Sequence, residues 1–138
     1  MSCDQYAEVV RFQQPNPPPA LSGIVDAFEH GDHCSQFTAH GINPTTVYAG
    51  SEQCLTLNVY VPENVRCSND SAPVIVWVHG GGYGYGWPDF AGNVTNALPA
   101  DGGNTILVTL QYRLGVFGFL AGTEVHEQGD SNLGVSTR

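Results

Sequence analysis

The sequence predicts an α/β fold in which two parallel strands lie side by side. Three apolar segments carry this prediction, at residues 55–61, 73–78 and 105–110. A parallel pair needs a crossover of about a dozen residues or more, and the stretch between the second and third segments is long enough to supply one. With 138 residues and 41% hydrophobic side chains, the chain has an ordinary size for one domain with a core.

The first two segments differ in pattern. Residues 55–61 alternate strictly, which predicts a half-buried strand ended by Pro62, with one set of apolar side chains on a single face: Leu55, Leu57, Val59 and Val61. Residues 73–78 are apolar on both faces and rich in β-branched side chains, which predicts a central strand covered on both sides. His79 and three glycines end that strand abruptly.

The remaining segments predict connections rather than regular elements. We expect an extended, proline-rich surface segment over residues 13–23, a turn over 63–72, an irregular or weakly helical connection over 88–99 and a loop over 122–138. Gly and Pro together are frequent, which favours turns and short elements over long helices.

The charge balance excludes several classes of partner. Four basic against thirteen acidic residues give a formal net charge of −9, which disfavours nucleic acid and anionic membranes. No apolar stretch approaches the ~20 residues of a membrane span, and the first ten residues have neither the basic nor the apolar region of a signal peptide. Charged residues make up 12% of the chain, about half of the usual fraction, so we expect part of the surface to lie inside something larger.

The glycines after the second segment carry the clearest chemical signal. Gly80, Gly81 and Gly82 follow a strand directly, so their amide hydrogens can point together at a small negative centre, as in an oxyanion hole. A phosphate loop is disfavoured because the dinucleotide glycine pattern and a phosphate-binding lysine are both lacking. A plain glycine turn stays open as an alternative. His79 is interpreted as a hydrogen-bonding support for this turn rather than as a general base.

Other candidate sites are weaker. Within about ten residues the chain has donors for a metal, but no second cluster completes the pattern and we expect no metal and no cofactor; these donors are His30, His33, Cys34 and His40. A serine nucleophile needs a Gly-x-Ser-x-Gly turn, and the nearest approximation, around Ser136, lacks the second glycine and a preceding apolar strand. We therefore do not assign Ser136 as a nucleophile.

The cysteines and the glycosylation sequons favour a protein that passes through the secretory pathway. Four cysteines allow three disulfide connectivities, which the sequence leaves open, and Asn69 and Asn93 each begin an acceptor sequon. The alternative is a cytosolic chain with four reduced thiols.

Six blocks in one order resemble the type-B carboxylesterases, the α/β-hydrolase group that includes carboxylesterases, cholinesterases, fungal lipases and the non-enzymatic neuroligins. The blocks are residues 11–12, 34–36, 51–62, 73–83, 111–120 and 129–134. The resemblance implies a partial α/β-hydrolase fold over residues 1–138, the N-terminal part of the central mixed sheet, with residues 1–10 unmatched. Glu-Gln-Cys and Gln-Tyr-Arg, at residues 52–54 and 111–113, depart mildly from the family's usual Glu-Asp-Cys and Asn-Tyr-Arg.

The resemblance also implies roles for individual residues. It pairs Cys34 with Cys54 as the first disulfide, and it makes Gly81 and Gly82 the oxyanion donors with Gly80 supporting the turn. Glu52 and Arg113 correspond to structural charged residues. Aromatic residues at the mouth of the active-site gorge, expected to contact substrate, correspond to Tyr83, Tyr85 and Trp87.

The function implied is that of a fragment of a secreted serine esterase or lipase. The fragment carries the oxyanion loop but lacks the nucleophile, acid and histidine, so we expect no turnover from it alone, and a small carboxylic ester as the substrate of the full-length protein. The resemblance also disfavours choline esters, because the cholinesterases bind the quaternary ammonium group on a tryptophan of the loop that corresponds to residues 34–54, and this loop contains no tryptophan. The alternatives are a non-catalytic binding or adhesion protein and a fragment without stable function, whose apolar strand edge aggregates.

Overall fold

A computed structural model describes residues 10–18, 20, 22–38, 47–68, 71–89, 103–128 and 131–135. Within these residues the chain forms short strands and three single-turn helices. In chain order they are β1 (Gln36–Thr38), β2 (Val47–Ala49), β3 (Leu57–Tyr60), α1 (Glu63–Cys67), β4 (Val74–Val78), β5 (Ile106–Leu110), α2 (Gly115–Phe119) and α3 (Thr123–Glu127). None of the described helices is both long and apolar enough to cross a bilayer.

The predicted parallel pair is confirmed within a mixed sheet of order β3-β5-β4. β4 and β5 run parallel, from Val74 opposite Ile106 to Val78 opposite Leu110. β3 lies antiparallel on the other side of β5, with Leu57 opposite Leu110. β1 and β2 form a separate antiparallel pair. The carboxyl ends of β4 and β5 therefore lie at one edge of the sheet.

Among the described residues the second predicted strand is not central, and its apolar edge is open, as the alternative of an aggregating fragment expects. β4 lies at the side of this sheet, and the central strand is β5. All five residues of β4 are exposed, with Val76 at 57% and Val78 at 58%. An all-apolar strand is suited to cover on both faces, but the described residues supply that cover on neither.

The alternation in β3 is confirmed, but its burial is the reverse of the prediction. Leu57 and Val61 are each 39% exposed, whereas Thr56 and Asn58 are buried. The buried polar side chains pair with neighbours: Asn58 Nδ2 donates to Thr109 Oγ1 at 3.3 Å across the two strands. Burial here thus follows hydrogen bonding between strands more than side-chain polarity.

The described core is small and centres on a disulfide. Cys34 is bonded to Cys54, with Cα atoms 4.9 Å apart, which confirms the pairing that the resemblance implied. These two residues and Leu114 are almost completely buried, and Leu55 and Tyr112 pack against them. Cys67 is an exposed thiol, and Cys3 lies outside the described residues.

Two helices replace predicted turn and loop. α1 occupies part of the expected turn, and the negative charge of Glu63 in its first turn favours a helix start there. α3 occupies part of the expected terminal loop. Five-residue helices are too short to show a helical period in the sequence, so pattern reasoning missed both.

Candidate active site

The glycine loop, residues 80–86, begins where β4 ends. Because the carboxyl ends of parallel strands gather at one edge, this loop lies beside the end of β5, the position where open α/β sheets bind ligands. An open concavity of about 560 Å³ lies there. It is lined by Val78, His79, Gly80, Gly81, Gly82, Tyr83, Leu110, Tyr112, Phe119, Gly134 and Val135.

Close contacts with neighbouring atoms explain why the loop needs glycine at two positions. Gly81 has φ 129° and Gly86 has φ 136°. A Cβ on Gly81 would lie 1.6 Å from the Tyr85 carbonyl oxygen, and one on Gly86 would lie 2.4 Å from His79 Nδ1. A Cβ on Gly80 or Gly82 would meet nothing within 4 Å, since both border the concavity.

Backbone hydrogen bonds close the loop into a tight turn. The Gly84 and Tyr85 amides both donate to the Gly81 carbonyl, at 3.1 and 3.3 Å, and the Gly115 amide donates to the Tyr83 carbonyl at 2.7 Å. The amides of Gly81 and Gly82 make no hydrogen bond to any described residue. The amides of Gly80 and Tyr83 make none either, so four consecutive amides at the concavity, those of Gly81 and Gly82 among them, are available to a ligand.

His79 supports the start of the loop. Its Nδ1 lies 2.9 Å from the Gly80 carbonyl oxygen, and because that oxygen can only accept, Nδ1 carries the proton. The ring stacks on Tyr112 with centroids 4.4 Å apart, and Tyr112 Oη donates to the His79 carbonyl at 2.7 Å. Burial lowers the pKa of His79, which keeps the imidazole neutral.

Only one of the three predicted aromatic residues lines the concavity. Tyr83 is 65% exposed, has φ 65° and packs on Phe119 with ring centroids 4.8 Å apart. Trp87 instead packs on His33, 5.4 Å away, and neither Trp87 nor Tyr85 contributes to the lining. Sequence reasoning missed Tyr112 and Phe119, although both fall in the block that follows β5.

The carboxylesterase family model matches residues 5–136. This chain belongs to the carboxylesterase family. It is 37% identical over 128 residues to mouse Carboxylesterase 3B and 36% identical over 129 residues to the Bacillus subtilis (strain 168) para-nitrobenzyl esterase. These matches cover 88% and 91% of this chain but 22% and 25% of the relatives. The chain thus spans about a quarter of their length.

Solved carboxylesterase structures agree with the fold. The crystal structure of Aspergillus niger EstA superposes with a TM-score of 0.69 at 34% identity, covering 90% of this chain and 23% of EstA. A PNB esterase structure gives a TM-score of 0.70 at 35% identity, over 90% of this chain and 25% of that protein. The predicted resemblance and the partial α/β-hydrolase fold are confirmed.

The two expected structural charges of this carboxylesterase chain lie near the disulfide. Glu52 pairs with Arg11, whose Nε donates to Oε2 at 2.9 Å, and the side-chain hydrogen bonds from Arg11 lower the pKa of Glu52. Arg113 is buried at 4% exposure and donates to the backbone carbonyls of Gln13 and Val10, the latter at 3.3 Å. Both side chains tie the described N-terminal residues to the core.

The other candidates are dispersed or lie outside the described residues. His30 Nδ1 lies 3.8 Å from Asp89 Oδ2, and His33 Nδ1 lies 3.2 Å from Gln111 Nε2. In the part of the chain that the structure describes, no three His, Cys, Asp or Glu residues are grouped to hold a metal ion. Four of the candidates predicted from the sequence lie outside the described residues: His40, Asn69, Asn93 and Ser136.

Proposed function

We propose that this chain supplies the oxyanion-binding loop of a serine carboxylic ester hydrolase. Its Gly81 and Gly82 amides stabilise the negative charge that develops on the ester carbonyl oxygen, and the turn at Gly80 holds them in place. The observation that carries the proposal is the pair of amides without hydrogen-bond partners among the described residues, at an apolar concavity beside the ends of parallel strands. Membership of the carboxylesterase family supports the reaction class.

The proposed chemistry is electrostatic. Preorganised amide donors in a site shielded from water stabilise a tetrahedral intermediate more than they stabilise a neutral ester, because the charge is present only after attack. Tyr83 and Phe119 give the concavity an apolar wall. The substrate proposed is therefore a small uncharged carboxylic ester, with Tyr83 in contact with it. The roles of Tyr85 and Trp87 stay predictions.

The nucleophile is proposed to come from outside these residues. The 138-residue sequence contains no Gly-x-Ser-x-Gly turn, so we expect the chain alone not to hydrolyse p-nitrophenyl acetate above the buffer rate. Hydrolysis that survives Ser136→Ala but is lost in Gly81→Pro would contradict this expectation.

A hybrid esterase tests the oxyanion role. In it, residues 5–136 of this chain replace the matching part of the Bacillus subtilis para-nitrobenzyl esterase. We expect Gly82→Pro, which removes one amide donor, to lower kcat by roughly 100-fold or more. Gly23→Pro is the matched control, because Gly23 also has a positive φ, 88° against 58°, and open space around it.

Two outcomes of the hybrid experiment are distinct. Equal loss of kcat in both variants would show a folding effect and refute the oxyanion role of Gly82. A folded hybrid without activity would favour the non-catalytic binding or adhesion alternative.

We further propose that the chain matures in the secretory pathway. The disulfide between Cys34 and Cys54 supports this, since such bonds persist in oxidising compartments. Glycosylation at Asn69 and Asn93 is part of the proposal. A mass loss on glycosidase treatment of the chain secreted from eukaryotic cells, abolished by changing both asparagines to glutamine, is the expected result; unmodified mass refutes the glycosylation.

A further inference from the structure

A buried glutamine holds the far end of the glycine loop. Gln36, at the start of β1, is 4% exposed. Its Oε1 accepts a hydrogen bond from the Gly86 amide at 2.8 Å, and its Nε2 donates to the Gly86 carbonyl at 3.1 Å. Nε2 also lies 3.2 Å from the carbonyl oxygen of Cys34, next to the disulfide. One side-chain amide thus holds both polar groups of Gly86.

Gly86 in turn packs on the start of the same loop. A Cβ on Gly86 would lie 2.5 Å from the Gly80 carbonyl oxygen and 2.4 Å from His79 Nδ1, so these groups have no room to approach further. The Gly80 carbonyl and the Gly81 amide belong to one planar peptide unit. Fixing the carbonyl at one end therefore fixes the direction in which the Gly81 N–H points.

The loop needs such a fixed point because its internal backbone hydrogen bonds join only Gly81 to Gly84 and Tyr85. Glycines have many accessible backbone conformations, and four loop residues have positive φ: Gly81, Gly82, Tyr83 and Gly86. For Tyr83, with φ 65°, this conformation is unfavourable in isolation. The surrounding structure must therefore hold the loop in place, and Gln36 is its anchor on the disulfide side.

We propose that Gln36 is a positioning residue for the oxyanion donors, a role that rests on the proposed function. Gln36 does not line the concavity, so it acts through Gly86 and the peptide between Gly80 and Gly81. Loss of this anchor displaces donors that matter in the transition state. It lowers kcat and leaves KM nearly unchanged.

The first experiment measures the loop in the full chain, without any reaction. Gln36→Glu keeps the shape but replaces a donor by a carboxylate oxygen facing the Gly86 carbonyl, and Gln36→Met removes both hydrogen-bonding groups. By NMR we expect amide exchange at Gly86 to be about tenfold faster and the amide resonances of Gly81 and Gly82 to shift. Gln128→Glu, an exposed control with the same charge change, leaves all three unchanged.

A change confined to Gly86, with the Gly81 and Gly82 resonances retained, overturns the proposal. If Gln36→Glu fails to fold, Gln36→Met decides by the same criterion, because it adds no charge.

The second experiment uses the hybrid esterase. We expect Gln36→Met to lower kcat by roughly tenfold to 100-fold, with KM within about twofold, while Gln128→Glu retains both constants. Shifted Gly81 and Gly82 resonances with an unchanged kcat overturn the positioning role. An inactive parent hybrid refutes the proposed function alone, and the NMR result still decides whether Gln36 orients the loop.

Discussion

The disulfide region (residues 33–36, 51–56 and 113–114) and the glycine loop are neighbours held in different ways. In the disulfide region, side chains add to the backbone hydrogen bonds: the two cysteines are bonded, and Arg113 binds backbone carbonyls. In the glycine loop, backbone groups bind each other, as in the hydrogen bond from the Gly84 amide to the Gly81 carbonyl. The backbone can pack this closely only because the glycines have no Cβ. We therefore expect the stability of the chain to be most sensitive to a single added methyl group in this loop.

Gly81→Ala is expected to have the largest effect. The new Cβ would lie 1.6 Å from the Tyr85 carbonyl oxygen at φ 129°, so the loop has to rebuild at a cost of about 3 kcal/mol in the free energy of unfolding. Gly80→Ala is the matched control, because its Cβ meets nothing within 4 Å, and it should change stability by less than about 0.5 kcal/mol. Urea unfolding of both variants measures the difference.

Equal destabilisation by the two substitutions would mean that close packing does not define the loop. The glycine loop would then not be more sensitive to an added methyl group than the disulfide region.

Removal of the disulfide is expected to rank second. Replacing both Cys34 and Cys54 by alanine increases the conformational entropy of the unfolded chain and leaves a gap in the small core. We expect this to lower the free energy of unfolding by about 2–3 kcal/mol. Cys67→Ala, at an exposed thiol, should be nearly neutral. Urea unfolding again measures both, and a double variant as stable as the parent would show that noncovalent contacts suffice in this region.

The same contrast separates what the sequence could predict from what it could not. The disulfide, three of the five described strands and the glycine turn were predictable because each is encoded in a local pattern or a recognisable block. The burial of Asn58 in place of Leu57 was not, because it depends on the partner Thr109, 51 residues away. The same holds for the bonds between Gln36 and Gly86, which are 50 residues apart.

The exposed face of β4 shows a further limit. Its all-apolar pattern correctly indicated a strand, but the described residues do not supply the cover that the pattern predicts. Likewise, three aromatic residues next to the glycines share a sequence neighbourhood, yet only Tyr83 lines the concavity. The turn of the backbone after Tyr83 directs Tyr85 and Trp87 away from the concavity. The backbone hydrogen bonds that stabilise this turn cannot be predicted from the composition.

The smallest expected effects concern pH, and they fall in two separate windows. In the glycine loop, burial lowers the pKa of His79 below its ordinary 6.5, so the unfolded chain takes up a proton more readily than the folded one. Stability is then complete above about pH 6.5 and is lost as the pH falls from there through the folded pKa. In the disulfide region, Arg11 lowers the pKa of Glu52 below 4.5, so this contribution is present above that value and is lost only at more acidic pH.

Urea unfolding between pH 8 and pH 3 should therefore show two losses in the parent chain. His79→Gln should remove the loss that begins as the pH falls below about 6.5. Glu52→Gln should remove only the more acidic loss, which is worth at most about 1 kcal/mol because Arg11 is 59% exposed and solvent screens the pair. If His79→Gln leaves the profile between pH 7 and pH 5 unchanged, His79 is not buried neutral beneath the loop.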